Sequence, residues 1–345
     1  MFEEFGFETL TAPQAVVWFA LALGLAFGAL AQITRFCLRR ALVGEDRKQA
    51  AGVWLTALAV AVLGTQAAVA QGWIDFGDHR FMAADMPVLA IVVGGLMFGV
   101  GMVLTRGCIS RLTVLTASGN LRALTVVVIF AITAHAALKG VLSPLRTTLG
   151  SVTLPVDSAA LPGNPLIWTA VIAAAALLFA LRSGNRPVML ALAALIGLLV
   201  PLGWVGTGFL LYDDFDPIAM ESLAFTSTMT ESLFFTVAST AIPAGFGVGL
   251  VGGVLLGGLA AALLSGGFRW QSFSTPAETG RYLAGGALMG FGGVIAGGCT
   301  VGAGLSGIPT LSMAAILAVA AMAVGALATN RALNAVPAAR PHPAE

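Results

Sequence analysis

Two stretches of the chain, GGLMFGVGMVLTRGC at residues 94–108 and GGALMGFGGVIAGGC at 285–299, align without gaps and are identical at seven of fifteen positions. Biased composition alone would give roughly one or two identities. The segment LGLAFGALAQITRFC at 23–37 also matches residues 94–108 at seven positions. Each of these copies ends in a cysteine that follows a glycine by nine residues, whereas a weaker fourth copy at 197–206 ends in glycine. The repeats therefore predict related helices that converge on the cysteines.

The composition of the chain places these repeats in a membrane. Of 345 residues, 58% are hydrophobic and only 10% are charged, whereas a soluble domain has about 25% charged residues. Nine apolar runs approach the ~20 residues that a helix needs to cross a bilayer. They are 13–33, 51–71, 88–104, 122–142, 166–181, 187–211, 245–266, 281–296 and 310–328. The sequence predicts an all-α polytopic membrane protein in which residues 1–345 form a single integral membrane domain.

The positions of lysine and arginine predict the orientation, because positively charged loops stay in the cytoplasm. If the N-terminus lies outside, 14 of these residues fall inside and only Arg80, Lys139 and Arg146 fall outside. The first ten residues lack the basic region of a cleavable signal peptide, so we expect the first span to be retained. The predicted topology has the N-terminus outside and the C-terminus in the cytoplasm.

This topology also predicts how the repeats are related. It orients the first two cysteine-bearing helices oppositely to the third, so residues 13–142 and 187–328 would form two inverted-topology repeats. Residues 166–181 would connect them, and residues 329–345 would form a short cytoplasmic tail. Transporters built from inverted repeats carry their substrate site near the bilayer midplane, where the repeats meet.

The chain is less hydrophobic directly after each cysteine. LRRALVG follows Cys37, ISRLTVLTASG follows Cys108 and TVGAGLSG follows Cys299. Each sequence predicts a short helix ended by glycine, and a comparable piece at 217–242 would complete a set of about four. Within that piece, residues 231–242 are expected to be re-entrant or a short helix. Short helices of this kind predict vestibules that enter the protein from both faces.

The three cysteines are the candidate site. They are separated by 71 and 191 residues, and the chain has no CxxC, no Cys/His cluster and no metal-ligand spacing, so we expect no metal, cofactor or enzymatic centre. A thiol buried in apolar surroundings stays neutral and can donate a weak S–H hydrogen bond to a polarisable sulfur acceptor. Free N–H groups at the start of a helix also favour an anion. Three weak sites of this kind would pass an anion along a path.

Residues beside the cysteines extend the candidate site. Gly107 and Gly298 directly precede two of them and would let backbone approach a ligand closely, although helix packing through small residues explains them equally. Arg35 and Arg106 lie two residues before their cysteines, where the third copy has Gly297. These arginines would concentrate anions at the inner mouth or would act only as cytoplasmic retention signals.

At these residues the sequence resembles a known family. The segments QITRFC at 32–37, GCISRL and GNLRAL within 107–124, and GGCTVGAGLSG at 297–307 are similar to the YeeE/YedE family of bacterial sulfur-transport membrane proteins. The resemblance implies an hourglass-shaped bundle of nine spans and four short helices in the bacterial inner membrane. It further implies uptake of thiosulfate between three cysteine thiols, and a small cytoplasmic sulfurtransferase partner of the TusA type.

Other functions stay open at the level of sequence. In one alternative, the protein transports another sulfur or selenium species. In another, it is a membrane thiol-disulfide oxidoreductase, which the wide spacing of the cysteines in the sequence disfavours. A structural subunit is a further alternative. We expect lipids but no nucleic acid as partners. Importing a dianion costs about 2.3 kcal/mol per charge per 100 mV, so uptake needs either ion coupling or rapid consumption of the substrate in the cytoplasm. The sequence has no ion-coupling motif, which makes consumption the simpler hypothesis.

Overall fold

The computed structural model describes residues 11–156 and 158–335 and is mostly helical. In chain order the α-helices are α1 Ala12–Thr34, α2 Leu38–Val43, α3 Arg47–Ala70, α4 Val88–Leu104, α5 Ile109–Ala117, α6 Leu121–Lys139, α7 Ser143–Gly150, α8 Pro165–Leu181, α9 Pro187–Val205, α10 Ser227–Ala238, α11 Phe246–Leu264, α12 Pro276–Ile295 and α13 Met313–Ala335. Wider π-helical turns occupy Gly206–Leu210 and Thr300–Gly307, and tight 3-10 turns occupy Arg80–Met82 and Ile308–Thr310. Strands β1 (Asp85–Met86) and β2 (Leu154–Pro155) pair antiparallel.

The long helices confirm the predicted fold class. Within the described residues, eight helices, some taken together with the short helix that follows, are long and apolar enough to cross a membrane. The shorter apolar helix α8, with 17 residues, corresponds to the predicted span 166–181 and brings the number of matched spans to nine. The chain is therefore an all-α polytopic membrane protein with additional short helices.

Several helix starts follow from local sequence. Asn164 accepts a hydrogen bond from the Leu166 N–H directly before Pro165 opens α8. Thr275 does the same for the Glu278 N–H at the start of α12. A polar N-cap side chain accepts a hydrogen bond from a backbone N–H that would otherwise be unpaired. Proline is suited to the first helical turn because it has no backbone N–H to be paired.

One end of the bundle is rich in arginine, and we call it the basic end. Its loops are 35–46, 105–120, 182–186 and 265–275. Backbone hydrogen bonds join two of these loops, from Arg269 N–H to the Ser118 carbonyl and from Gln271 N–H to the Gly119 carbonyl. The Asn185 side chain donates to the Gln49 carbonyl. These contacts hold the ends of α3, α5, α9 and α11 together.

The opposite end carries most of the aspartates, and we call it the acidic end. It contains the 71–87, 140–164, 211–226 and 296–312 segments. Ser312 Oγ donates to the Phe81 carbonyl at 2.7 Å, and Ser306 Oγ donates to the Leu223 carbonyl at 2.6 Å. The chain after α12 is thereby fixed to two irregular segments at once.

Small residues set the closest helix pairs. Helix α1 packs against α11, α3 against α9, α4 against α13, and α12 against α6, while α4 meets α12 and α1 meets α9 at the centre. An added Cβ at Gly24 would lie 2.2 Å from the Leu250 carbonyl oxygen, and one at Gly28 would lie 2.3 Å from the Val254 carbonyl oxygen. Helices pack this closely only where glycine removes the side chain, as is common in membranes.

The structure adds detail to three of the sequence predictions. The π-helical element after the third cysteine ends at Gly307, and a 3-10 turn at Ile308–Thr310 follows it directly. At the weak fourth copy, α9 runs directly into the π-helical turn at Gly206. Helix α13 extends to Ala335, so the described part of the predicted 329–345 tail is helical. The piece at 217–242 contains the 12-residue helix α10, which is too short to span.

Candidate functional site

The three cysteines occupy the same position at three helix junctions. Each is the N-cap residue of the short helix that follows and has an extended backbone. The residue two positions earlier has a left-handed backbone in every case, with φ of 53° at Arg35, 59° at Arg106 and 79° at Gly297. This conformation ends the long helix abruptly and turns the chain into the short one.

The first two cysteines meet in the interior. The Sγ atoms of Cys37 and Cys108 lie 3.6 Å apart, and Ser110 Oγ lies 3.3 Å from Cys108 Sγ. Cys37 is 5% exposed and Cys108 is 1% exposed. The fold thus brings two thiols that are 71 residues apart in the sequence into hydrogen-bonding contact.

Cys299 approaches the same region from the acidic end. It is fully buried and accepts a hydrogen bond from the Gly302 N–H at 3.3 Å. The next residue, Thr300, lies beside Cys108, and its buried hydroxyl has no hydrogen-bond partner among the described residues. Thr300 therefore connects the junction at Cys299 with the cysteine pair.

Buried aromatic rings surround the convergence of the three junctions. The Phe27 ring lies 6.1 Å from that of Phe36 and 5.4 Å from that of Phe225. Phe36 directly precedes Cys37, and the backbone of Phe225 lies beside Cys299. The three thiols are thus part of a buried cluster of aromatic and aliphatic side chains.

The glycines and arginines of the predicted site have different surroundings. An added Cβ at Gly107 would lie 3.1 Å from the Leu112 side chain, and one at Gly298 would lie 2.9 Å from the Ala303 backbone nitrogen. These glycines therefore let each short helix fold back onto its junction. Arg35 and Arg106 are exposed at the basic end rather than in contact with the thiols.

Two arginines that the sequence reasoning missed lie closer to the cysteine pair. Arg40 and Arg111 each follow a cysteine by three residues, a shared Cys-x-x-Arg spacing visible in the sequence. Arg111 donates to the Ala31 carbonyl at 3.1 Å and to Gln32 Oε1 at 3.2 Å. Arg40 donates to the Thr34 and Arg35 carbonyls and pairs with Asp46. Both guanidinium groups therefore satisfy the carbonyls at the end of α1.

A cavity of about 470 Å³ reaches inward from the acidic end. Its lining includes the exposed Arg80, the partly buried Glu221, and the buried residues Gly302 and Ser306, which form its inner wall. Trp204 also lines it, and its indole Nε1–H is buried without a hydrogen-bond partner among the described residues. Because Gly302 donates to Cys299, the cavity extends to the residue that contacts the third thiol.

Two titratable side chains of this cavity are perturbed. Burial, reinforced by the Arg80 guanidinium, lowers the pKa of His79 to about 4, so His79 is neutral at physiological pH. Burial and the neighbouring Glu231 raise the pKa of Glu221 to about 7, and Arg80 opposes that shift. Glu221 therefore changes charge close to neutral pH, next to Arg80.

A smaller cavity of about 290 Å³ lies at the basic end. Thr34, Arg35, Arg40, Gln49 and Asn185 line it. The two cavities lie at opposite ends of the bundle, and arginine lines part of each.

Most of the chain is similar in sequence to known proteins. A family model for sulphur transport matches residues 31–328, a span that includes all three junctions. The chain belongs to the sulphur transport family. This confirms the resemblance to the YeeE/YedE proteins, and it makes the chain a multi-pass membrane protein of sulfur transport.

Two curated relatives align over most of their length. The thiosulfate transporter TsuA of Spirochaeta thermophila is 26% identical over 344 residues, which cover 88% of this chain and 94% of that protein. The thiosulfate transporter TsuA of Escherichia coli K12 is 27% identical over 317 residues, covering 83% of this chain and 85% of that protein. Both relatives are transporters by name.

Proposed function

We propose that the protein takes up thiosulfate through the inner membrane and that Cys37, Cys108 and Cys299 hand the anion on in turn. The observation that carries this proposal is the convergence of three buried thiols from three equivalent junctions, two of them 3.6 Å apart. A neutral thiol donates a weak hydrogen bond, and its polarisable sulfur suits the terminal sulfur of thiosulfate.

The cavity at the acidic end is the proposed entrance. Arg80 attracts an anion there, and the unpaired Trp204 indole N–H supplies a donor once the anion has left bulk water. A buried donor without a partner costs roughly 1–3 kcal/mol, which an anion would offset by accepting its hydrogen bond. The inner wall at Gly302 then leads the anion to Cys299.

The basic end is the proposed exit. Arg111 and Arg40 lie beside the cysteine pair, and Arg35 and Arg106 lie farther out. Their positive charge would draw the anion from Cys108 and Cys37 towards the cavity at this end. The weak donors between the two ends keep each site loose enough to release the anion.

The distribution of charge supports an orientation with the basic end in the cytoplasm, because loops rich in arginine are retained there. The N-terminus is then outside and the C-terminus inside. Residues 13–142 and 187–328 would be inverted repeats. Exchange of the halves relates the packing of α1 on α11 to that of α9 on α3, and the packing of α4 on α13 to that of α12 on α6.

The proposed driving force is consumption of thiosulfate in the cytoplasm by a sulfurtransferase of the TusA type bound at the basic end. The protein itself would perform no chemistry. The alternative function to be tested is that of a thiol-disulfide oxidoreductase. The wide spacing of the cysteines in the sequence disfavoured it, but Cys37 and Cys108 are in contact in the structure.

The deciding experiment is growth of a thiosulfate-uptake-deficient bacterium on thiosulfate as sole sulfur source. It compares the unmodified chain with Cys37→Ala, Cys108→Ala and Cys299→Ala variants at matched expression. We expect growth with the unmodified chain and little or none with each variant. Full growth with all three variants would exclude the cysteine path, and no growth with the unmodified chain would exclude thiosulfate as its substrate.

A further inference from the structure

We propose that Cys37 and Cys108 are an oxidisable dithiol, and that a disulfide-bridged sulfur oxyanion converts them into an intramolecular disulfide. The consequence for transport, closure of the path, rests on the function proposed above. The inference that these two cysteines can be joined is based on geometry, since their thiols come from distant parts of the chain and lie in contact in a buried site.

The distance between the sulfurs is short enough for bond formation. The Sγ atoms are 3.6 Å apart, and a disulfide requires about 2.05 Å, so they must approach by about 1.5 Å. Both cysteines lie at junctions between helices, where each is an extended N-cap residue rather than part of a continuous helix. A small rotation of both side chains at these positions does not have to break a helical hydrogen bond.

Cys299 is excluded from this pair by its own contacts. Its sulfur accepts a hydrogen bond from the Gly302 N–H, and no sulfur lies within hydrogen-bonding contact of it among the described residues. Oxidation should therefore join Cys37 to Cys108 and leave Cys299 as a thiol.

An anion path would admit a sulfur oxyanion that itself contains a disulfide bond. A cysteine thiolate can attack that bond. The thiolate of one cysteine attacks a central sulfur of tetrathionate, breaks the central S–S bond and expels one thiosulfate. The second thiol then attacks the cysteine sulfur of this mixed species and expels the other thiosulfate. Two thiols and one tetrathionate give one protein disulfide, two thiosulfates and two protons, which pass to water.

The disulfide would stop transport for two reasons. It consumes both S–H donors of the pair, so two of the three proposed thiol sites are lost. It also ties the α1–α2 junction covalently to the α4–α5 junction, which removes the freedom of these junctions to part around a passing anion.

The experiment uses the purified full chain in proteoliposomes, before and after treatment with tetrathionate or with diamide. Peptide mass spectrometry after alkylation in denaturant identifies which cysteines are joined. Cys299→Ala is the matched variant that keeps the pair, and Cys37→Ser and Cys108→Ser are the variants that cannot form it. Thiosulfate uptake is measured on the same samples, and again after reduction with dithiothreitol.

We expect a Cys37–Cys108 disulfide in the unmodified chain and in Cys299→Ala, with uptake by the unmodified chain reduced about tenfold or more and restored by reduction. The proposal is wrong if the two cysteines stay reduced in the folded protein, if Cys299 enters the disulfide, or if the disulfide forms without change in uptake. If the untreated chain carries no thiosulfate, the proposed function has failed, and the peptide map still decides whether the dithiol exists.

Discussion

The junctions at Cys37 and Cys108 differ from the junction at Cys299, although all share one backbone plan. At the basic end, arginine occupies the left-handed position before each cysteine, at a cost of roughly 1–2 kcal/mol relative to glycine. At the acidic end the same position is Gly297. The third residue after the cysteine is likewise Arg40 or Arg111 in the first two copies and Gly302 in the third.

The three junctions therefore share one backbone geometry. They differ in the residues that occupy it, which are arginines at the basic end and glycines at the acidic end. At all three junctions the backbone of the third residue after the cysteine lies beside the sulfur, but at the acidic end that residue is Gly302, which has no side chain and lines the cavity. The basic-end junctions use side-chain charge, which a glycine does not provide. A strained residue that persists at a site indicates that its side chain is needed there, so we expect the arginines to serve the exit and the glycines to serve the entrance.

The largest effect should come from Cys108→Ala. Cys108 contacts Cys37 and Ser110 and lies beside Thr300, so its loss breaks the link between the two kinds of junction. We expect the rate of thiosulfate uptake to fall about a hundredfold for Cys108→Ala, which loses contacts to three side chains, and about tenfold for Cys299→Ala, which loses a single backbone contact. Initial rates in proteoliposomes test this order. Equal effects of both variants would show that the two kinds of junction do not differ in function.

Trp204→Phe tests the entrance alone. Phenylalanine keeps the ring that packs edge-on against Phe76 and removes the unpaired indole N–H. We expect the KM for thiosulfate to rise about tenfold at nearly unchanged maximal rate. The matched control is Trp168→Phe, because the Trp168 Nε1–H already donates to the Pro162 carbonyl. A similar rise in KM for both variants would show that Trp204 has no special part in anion entry.

The pH dependence of uptake should come from Glu221. Its pKa is raised to about 7 by burial and by Glu231, so the carboxyl group is neutral below that pH and negative above it. We expect uptake to fall about threefold as the outside pH rises from roughly 6 to 8, because a carboxylate at the entrance repels a dianion. His79 stays neutral over this range, since its pKa is lowered to about 4. Initial rates at each outside pH, with the inside held constant, measure this effect.

Glu221→Gln should flatten that profile, and Asp78→Asn is the control on the same cavity lining. Asp75, Asp78, His79 and Arg80 also face this space, so the comparison separates the titration of Glu221 from a general change in charge. An unchanged profile in Glu221→Gln would assign the pH dependence to another group.

The smallest effect should be on stability, from Gly297→Ala. No heavy atom lies within 4 Å of a Cβ added there, so only the left-handed backbone opposes the change. We expect a loss of about 1–2 kcal/mol in the free energy of unfolding, seen as a lower Tm in detergent. Gly72→Ala is the control, since Gly72 has φ of 71° and equally open surroundings. A loss at Gly297 well above that at Gly72 would mean that the junction has less room than its geometry indicates.

The sequence predicted much of the fold because membrane insertion leaves a strong one-dimensional signal. The nine apolar runs correspond to the long helices, and the gap-free match between 94–108 and 285–299 located both of their cysteine junctions. The weak fourth copy at 197–206 differs from the other three, because α9 continues there into a π-helical turn and Gly206 has a helical backbone. Glycine spacing alone cannot distinguish a helix end from a helix that needs glycine for packing, as Gly197 does against the Ala57 carbonyl.

The candidate site was only partly predictable. The cysteines could be identified from their repeated position, and Arg40 and Arg111 could have been identified from their shared spacing. Trp204, Arg80 and Glu221 lie on separate segments with no motif in common, and the 211–226 segment is not helical. Only the folded chain brings them to one cavity.

By itself, the sequence determined that this protein is a membrane helix bundle of the sulphur transport type, with equivalent cysteines at helix junctions. Hydrophobic length and repeated local patterns are properties of neighbouring residues, so they can be read along the chain. Only the tertiary structure decided that Cys37 and Cys108 are in contact and that Thr300 joins them to the Cys299 junction. Such contacts depend on how glycine-lined helices from distant parts of the chain pack, and no local pattern specifies that arrangement.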